Sequence, residues 1–151
     1  MKVINIDGKD YTFEFTIEAS LYNECTEKVV TLMSSMEDAK DKESTKELIS
    51  SMSNIPQTAL TMFYAGLLEH HGEDGDGSVM DKKDAKTLVK KYFSEHKDEE
   101  TGNFYGIMSL MIEVMEDDDF FSQIGLNQLA ESQTKKELKT PQDHKKKDTG
   151  K

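Results

Sequence analysis

Two stretches of this chain are apolar on nearly every helical face, and a helix without a wet side has to sit inside something. The first is Asn54 to Gly72, NIPQTALTMFYAGLLEHHG. Pro56 falls in the first turn, where the amide that proline lacks would be unpaired anyway. Gly72 is expected to close the helix in the left-handed conformation that often ends one. Between them Ala59, Leu60, Met62, Phe63, Tyr64, Ala65, Leu67 and Leu68 leave only a thin polar stripe. The second stretch is Phe104 to Glu116, in which Phe104, Tyr105, Ile107, Met108, Leu110, Met111, Ile112, Val114 and Met115 are apolar. It is the natural packing partner of the first. Asp117-Asp118-Asp119 should end it, because acids oppose the negative C-terminal pole of a helix.

The remaining segments are what such a core needs as cover. Residues 2–15 read as a β-hairpin: Lys2-Val3-Ile4-Asn5-Ile6, an Asp7-Gly8 turn, then Tyr11-Thr12-Phe13-Glu14-Phe15. Asp-Gly between two alternating runs is among the stronger short-range hairpin signals. Tyr11, Phe13 and Phe15 share a face, for which the following helix is the expected cover. That helix should start at an N-cap Thr16 and carry Ile17, Leu21, Cys25, Val29, Leu32 or Met33, and Met36 on its inner side. The pattern fails over residues 37–46, a charged linker or loose helix end, and a short helix is expected over 46–52. Asp81 caps a further amphipathic helix, with Asp84 three residues on and Ala85, Leu88, Val89, Tyr92 and Phe93 as its stripe. Lysines 82, 83, 86, 90 and 91 lie on its wet face. Phe120-Phe121-Ser122-Gln123-Ile124-Gly125-Leu126 forms a short apolar cluster after the second core helix. The expected fold is mainly α (α+β), a compact bundle of about four to six helices with an N-terminal hairpin. One domain over residues 1–130 and a disordered lysine-rich tail over 131–151 complete it.

Charge narrows the partners. All 19 basic residues are lysine, there is no arginine or tryptophan, and 30 acids leave a net charge of −11. The tail holds seven lysines against four acids, about +3, which leaves about −14 for residues 1–130. Such a body repels nucleic acid and lacks the bidentate phosphate reader. No apolar run approaches the ~20 residues that span a bilayer, and no apolar segment of the kind in signal peptides precedes the hairpin. A single cysteine, Cys25, sits at core spacing with no nearby base, so a reducing compartment and an inert thiol are expected.

Catalytic and metal motifs are not found. His70, His71, His96 and His144 have no partners at metal-ligand spacing, and His70-His71 suit a helix C-terminus. The acidic turn Glu73-Asp74-Gly75-Asp76-Gly77-Ser78 fails the calcium-loop frame: with Gly77 sixth, position one is Gly72 and position twelve Lys83. No cofactor, metal or catalytic residue is assigned. Methionine is what stands out, with nine in the chain. It fills irregular gaps in cores and also serves adaptable binding surfaces. Met108, Met111 and Met115 share one face of the second core helix.

The order of segments resembles the tail assembly chaperones of long-tailed bacteriophages that infect Gram-positive bacteria. The stretches that carry the resemblance are INIDGKDYTFEFTIEASLYNECTEKV, IPQTALTMFYAGLLEHHGEDGDGSV, DAKTLVKKYFSEHK and TGNFYGIMSLMIEVMEDDDFFSQIGL, most of residues 4–126. They match in apolar and turn pattern and include no catalytic motif. The resemblance implies a small helical protein without enzymatic activity that binds the long, helical tape measure protein, keeps it soluble and helps the tail tube assemble around it. It further implies action in the bacterial host cytoplasm and absence from the mature virion. A frameshift-extended product would recruit the tail-tube protein, and self-association is left open. On this reading the partner face joins Met108, Met111 and Met115 to exposed apolar residues at Phe120, Phe121, Ile124 and Leu126. The competing readings are an acidic helical interaction or regulatory module of unrelated role, and a calcium-binding module.

Overall fold

The first apolar stretch is a single helix at the centre of the molecule. In the computed structural model, which describes residues 1–41, 54–126 and 128 and the side chains of 1–33 within the first of these stretches, it spans Ile55–His71. In chain order the described elements are β1 (Lys2–Ile6), β2 (Lys9–Phe13), α1 (Ile17–Leu21), α2 (Asn23–Asp41), α3 (Ile55–His71), α4 (Lys82–Glu95), α5 (Phe104–Asp117) and α6 (Phe120–Gln123). The expected fold class holds: a helical protein with an antiparallel N-terminal hairpin. The short helix drawn over 46–52 and the tail from 131 lie outside the described residues. Among the described residues no helix is long and apolar enough to cross a membrane.

The hairpin turns as its sequence requires. Ile6 pairs with Lys9, and Asp7 and Gly8 between them take φ of 53° and 80°. Both central residues of a tight turn are therefore left-handed, a conformation that matches the twist of the flanking strands. Its inner face, Tyr11 and Phe13 with Phe15 just beyond, is buried.

The cover of that face differs from expectation. It is α3, not the helix that follows the hairpin. Phe13 meets Phe63 edge-on with ring centroids 4.9 Å apart, and Tyr11 lies 5.1 Å from the ring of His71. Gly66 makes the approach possible. A Cβ on it would stand 3.0 Å from both Phe13 Cδ1 and Phe15 Cζ. With no side chain there, the Glu14 amide reaches the Gly66 carbonyl at 2.9 Å, so the end of β2 is bonded to a helix backbone. Phe15 then packs on Phe120, 5.6 Å between centroids, and its amide donates to Asp118 Oδ2 at 2.9 Å.

The next helix is broken where the sequence suggested continuity. Tyr22 adopts an extended conformation (ψ 95°) between α1 and α2. Its ring packs edge-on against Tyr64 at 5.5 Å, and its hydroxyl donates to Glu24 at 2.7 Å. The break reverses the burial of α1: Ala19 is buried, whereas Ile17 and Leu21 are 58% and 70% exposed. Thr16 does not cap with its side chain; its carbonyl instead accepts the Ser20 hydroxyl at 2.6 Å. Beyond Tyr22 the helical spacing holds, with Cys25 and Val29 buried and Leu32 and Met33 packed at the edge of the core. The backbone of α2 runs on to Asp41, past the end of the apolar pattern, while the side chain of Met36 lies outside the described residues.

The later helices follow their signals. Asp81 accepts the Asp84 amide at 2.9 Å, and Asp84 returns the contact one residue early, accepting the Met80 amide at 2.9 Å. Ala85, Leu88, Val89 and Tyr92 are buried, and Phe93 stands edge-on to Phe104 at 4.9 Å. Lys91 pairs with Asp7 at 3.0 Å, and the Asp7 amide donates to Glu95 at 2.6 Å, so the hairpin turn is held by α4. Helix α5 starts on Asn103, whose side chain accepts the Gly106 amide at 2.8 Å, and it packs along α3 as expected. At the end of α3, Gly72 is not left-handed; its φ is −80°. Glycine is needed there for room, since a Cβ would lie 2.6 Å from the Leu68 carbonyl oxygen.

The close approach at Gly66 sets a direct test. Valine is a better helix former than glycine by a few tenths of a kcal/mol, yet Gly66→Val should destabilise by about 1–3 kcal/mol, because two buried rings must move to admit it. Urea titration should show a lower midpoint at an unchanged slope.

Candidate functional site

The face proposed from sequence is largely inside the protein. Met111, Met115 and Phe120 are fully buried and Met108 nearly so. Phe121, Ile124 and Leu126 are half-buried. The methionine face of α5 is the face turned into the core, where flexible thioethers fill irregular space. The expected partner face is thus turned inward: Ser109, Glu113 and Glu116, at i, i+4 and i+7, mark the wet side of α5, and the methionines lie away from it on the side that packs on α3. On its outer side α5 exposes Tyr105, Ser109, Glu113 and Glu116, the first three beside a shallow depression of about 510 Å³.

The two histidines at the end of α3 tie elements together. His70 Nε2 lies 2.7 Å from Glu14 Oε2. His71 is buried, and its Nε2 accepts the Thr12 amide at 2.9 Å. The ring proton must then sit on Nδ1, which donates to Asp76 Oδ2 at 3.0 Å. Ser78 stands 3.3 Å from the same Nδ1, and its hydroxyl donates to Asp76 Oδ1 at 2.6 Å. This Ser/His/Asp trio cannot act as a nucleophile and base pair. Both partners are on the Nδ1 side, the serine proton is given to the carboxylate, and Nε2 is occupied by a main-chain amide.

Asp76 is thereby committed inward. The Ser78 hydroxyl and amide, and then His71, hold its carboxyl well below the usual carboxylate range. Lys9 adds a longer contact at 3.6 Å. Among the described residues no three His, Cys, Asp or Glu side chains converge to hold a metal ion. Cys25 is fully buried, and its thiol is pushed up to about 12 by that burial and secondarily by the charge of Glu24.

Apolar surface is exposed elsewhere, around the break between α1 and α2. On α1, Ile17 and Leu21 are one turn apart and point away from buried Ala19, with Glu18 beside them around the helix. Glu18 also lines a groove of about 180 Å³ together with Tyr64 and Leu68 of α3, Glu73, Asp74 and Met80, the last 54% exposed. The Tyr64 hydroxyl donates to the Met80 carbonyl at 3.4 Å. Burial, and then the nearby carboxylates of Asp81 and Asp84, raise the Tyr64 hydroxyl above its ordinary range. Lys82 is paired with Glu24. Glu24 is correspondingly held below the ordinary range, by hydrogen bonds from Lys82 and then Tyr22.

Helical spacing had placed Ile17 and Leu21 in the core, and Tyr64 and Leu68 in an undifferentiated girdle. A signal for the groove was present in Val79-Met80, two apolar residues between an acidic turn and a helix cap, of which Val79 is buried and Met80 exposed. Comparison of the chain with family models, with curated proteins and with solved structures finds no match.

Two measurements probe these assignments. Native Cys25 should react with a thiol reagent at least roughly a hundredfold more slowly than in urea-unfolded chain; comparable rates would mean the thiol is accessible. Asp76, with its folded value depressed, contributes stability that is complete above its unfolded value and is lost as pH falls through the folded one. Asp76→Asn should therefore cost up to about 1 kcal/mol at pH 7, the carboxylate being half exposed. The gap from wild type should narrow as pH drops below about 4 in parallel urea titrations.

Proposed function

We propose that this protein is a non-enzymatic tail assembly chaperone of a long-tailed bacteriophage, which binds the tape measure protein and keeps it soluble while the tail tube forms around it. The reading rests on the resemblance carried by four stretches within residues 4–126. The observation that supports it best is exposed apolar surface, at Ile17, Leu21 and Met80, on a strongly acidic helical body. A holdase needs this combination. Apolar contacts hold the client, and net charge keeps the complex dispersed. Several copies on one long client would gain avidity without a deep pocket in any of them. The same reading places the protein in the host cytoplasm and outside the finished particle. Contact with the tail-tube protein would come through a frameshift-extended product.

Coexpression with the tape measure protein tests this. Wild type should raise the soluble fraction of the client. Leu21→Lys and Met80→Lys together should lower that gain about tenfold, the effect of losing ~1.4 kcal/mol of contact, with an unchanged far-ultraviolet circular dichroism melt. A client that stays insoluble with wild type present sinks the proposal.

A further inference from the structure

The hairpin has one closed edge and one open edge. The Thr12 amide is taken by His71 and the Glu14 amide by the Gly66 carbonyl, so the outer side of β2 is sealed against α3. Residues opposite each other in an antiparallel pair point their main-chain groups either both toward the partner strand or both away from it. Thr12 stands opposite Val3, and Asp10 opposite Asn5. With the Thr12 amide aimed away from β1, Val3 aims its own amide and carbonyl the other way, and Asn5, two residues on, does the same. Among the described residues none bonds these four groups, and the sheet has no third strand.

Strand β1 also lacks the usual protection of an edge. It contains no proline, pairs without a bulge, and carries a single charge at Lys2. The Asn5 side chain is turned back across the hairpin onto Asp10 at 2.8 Å instead of out over the edge. Val3 is 55% exposed, and Ile4, on the inner face, is only half-buried. Open amides and carbonyls at this spacing select an extended strand, because a helix has already used its own along its sides.

A second copy of β1 fits this edge on three counts. An antiparallel two-fold about Ile4 sets Val3 of each copy against Asn5 of the other, and four bonds then satisfy every outward group of both edges. The same two-fold lays the half-open Ile4 directly opposite Ile4 of the other copy, where cross-strand side chains approach most closely. It also brings Lys2, which makes no ion pair among the described residues, to the turn end of the other copy. There Asp7 and Glu95 stand together against the single Lys91. The product is a sheet of order β2-β1-β1-β2 with no open edge, since each outer strand is sealed by its own α3.

We infer that β1 pairs antiparallel with β1 of a second copy of this chain, centred on Ile4, in a symmetric dimer with one continuous sheet. The dimer stands apart from the proposed client surface at Ile17, Leu21 and Met80. Two outward residues make a small interface, so association is weak and concentration-dependent. A net charge of −11 on each copy opposes it, and salt relieves that repulsion.

Sedimentation velocity of the full chain from ~10 µM to ~1 mM should show a monomer–dimer equilibrium that salt strengthens. Val3→Pro removes an amide that points outward and leaves the ladder to β2 intact. It should weaken the dimer about tenfold or more, the loss of ~1.4 kcal/mol of contact, with an unchanged melt. Cross-linking reads the register, with wild type as the blank because Cys25 is buried. Ile4→Cys sets two thiols across a non-hydrogen-bonded pair, ~4.5 Å between α-carbons, and mild oxidation should give a covalent dimer. Val3→Cys sets them on the diagonal at about 7–8 Å, at the limit of disulfide reach, and should cross-link roughly tenfold more slowly. If Val3→Pro lowers the melt, the cross-linking pair decides. A chain that stays monomeric throughout, a dimer indifferent to Val3→Pro, or equal cross-linking at the two positions overturns the inference. So does a monomer whose Val3 and Asn5 amides resist hydrogen exchange, which would give the edge to another strand of the same chain.

Discussion

The contact between the hairpin's inner face and Gly66 is the constraint on which the rest of the fold is built. A two-stranded hairpin is marginal alone and must find an apolar surface. Here it is pressed onto the central helix so closely that a β-carbon would meet two phenylalanine rings at 3.0 Å. Placing Phe13 and Phe15 fixes the exit of β2. That exit brings the Glu14 amide to the Gly66 carbonyl and the Phe15 amide to Asp118, so both core helices are joined through one short segment. Helix α3 consequently has the hairpin against it as well as α5, and its nearly complete apolar girth is used.

Carboxylates do much of the joining. Asp118 accepts from Phe15, Glu95 from Asp7, Asp84 from Met80, Asp81 from Asp84, and Asp76 from Ser78, each through a main-chain amide. A carboxylate accepting an amide makes a charge-assisted bond that needs no cation beside it. In a chain with no arginine this supplies directional cross-links that lysine, a point charge on a flexible stem, serves less well. The acidity seen in the composition therefore acts in two ways: part of it disperses the surface, and part of it closes turns and helix starts. Glu18, Glu73 and Asp74 line the small groove beside Tyr64, Leu68 and Met80.

Much of the fold was legible from local pattern. The Asp7-Gly8 turn, the start of the central helix at Pro56, the Asp81 cap and the α4 stripe each depend on residues within a few positions of one another, and the structure keeps all of them. The candidate site was scarcely legible. Ile17 and Leu21 have core spacing if the helix is continuous, and Tyr22 breaks it because a ring 42 residues further on, that of Tyr64, offers it a packing site. His71, suited by sequence to a helix terminus, becomes a buried bridge once Thr12 and Asp76 are brought to its two nitrogens.

The sequence by itself determined most of the helix and strand segments and the hairpin turn, the break at Tyr22 excepted, since caps, glycines and the period of apolar residues act over one or two turns of chain. Tertiary structure alone decided how each helix is set against its neighbours, and which side of the short helix α1 is inside. In helix α5 the wet side was marked by Ser109, Glu113 and Glu116, and Met108, Met111 and Met115 lie away from it against α3, while Tyr105, apolar by type, is left in solvent. Conversely, the side of α1 that periodicity assigned to the core is outside, because Ala19 is what fits against the core. Burial is a property of pairs of surfaces, and a single segment encodes only one of the two.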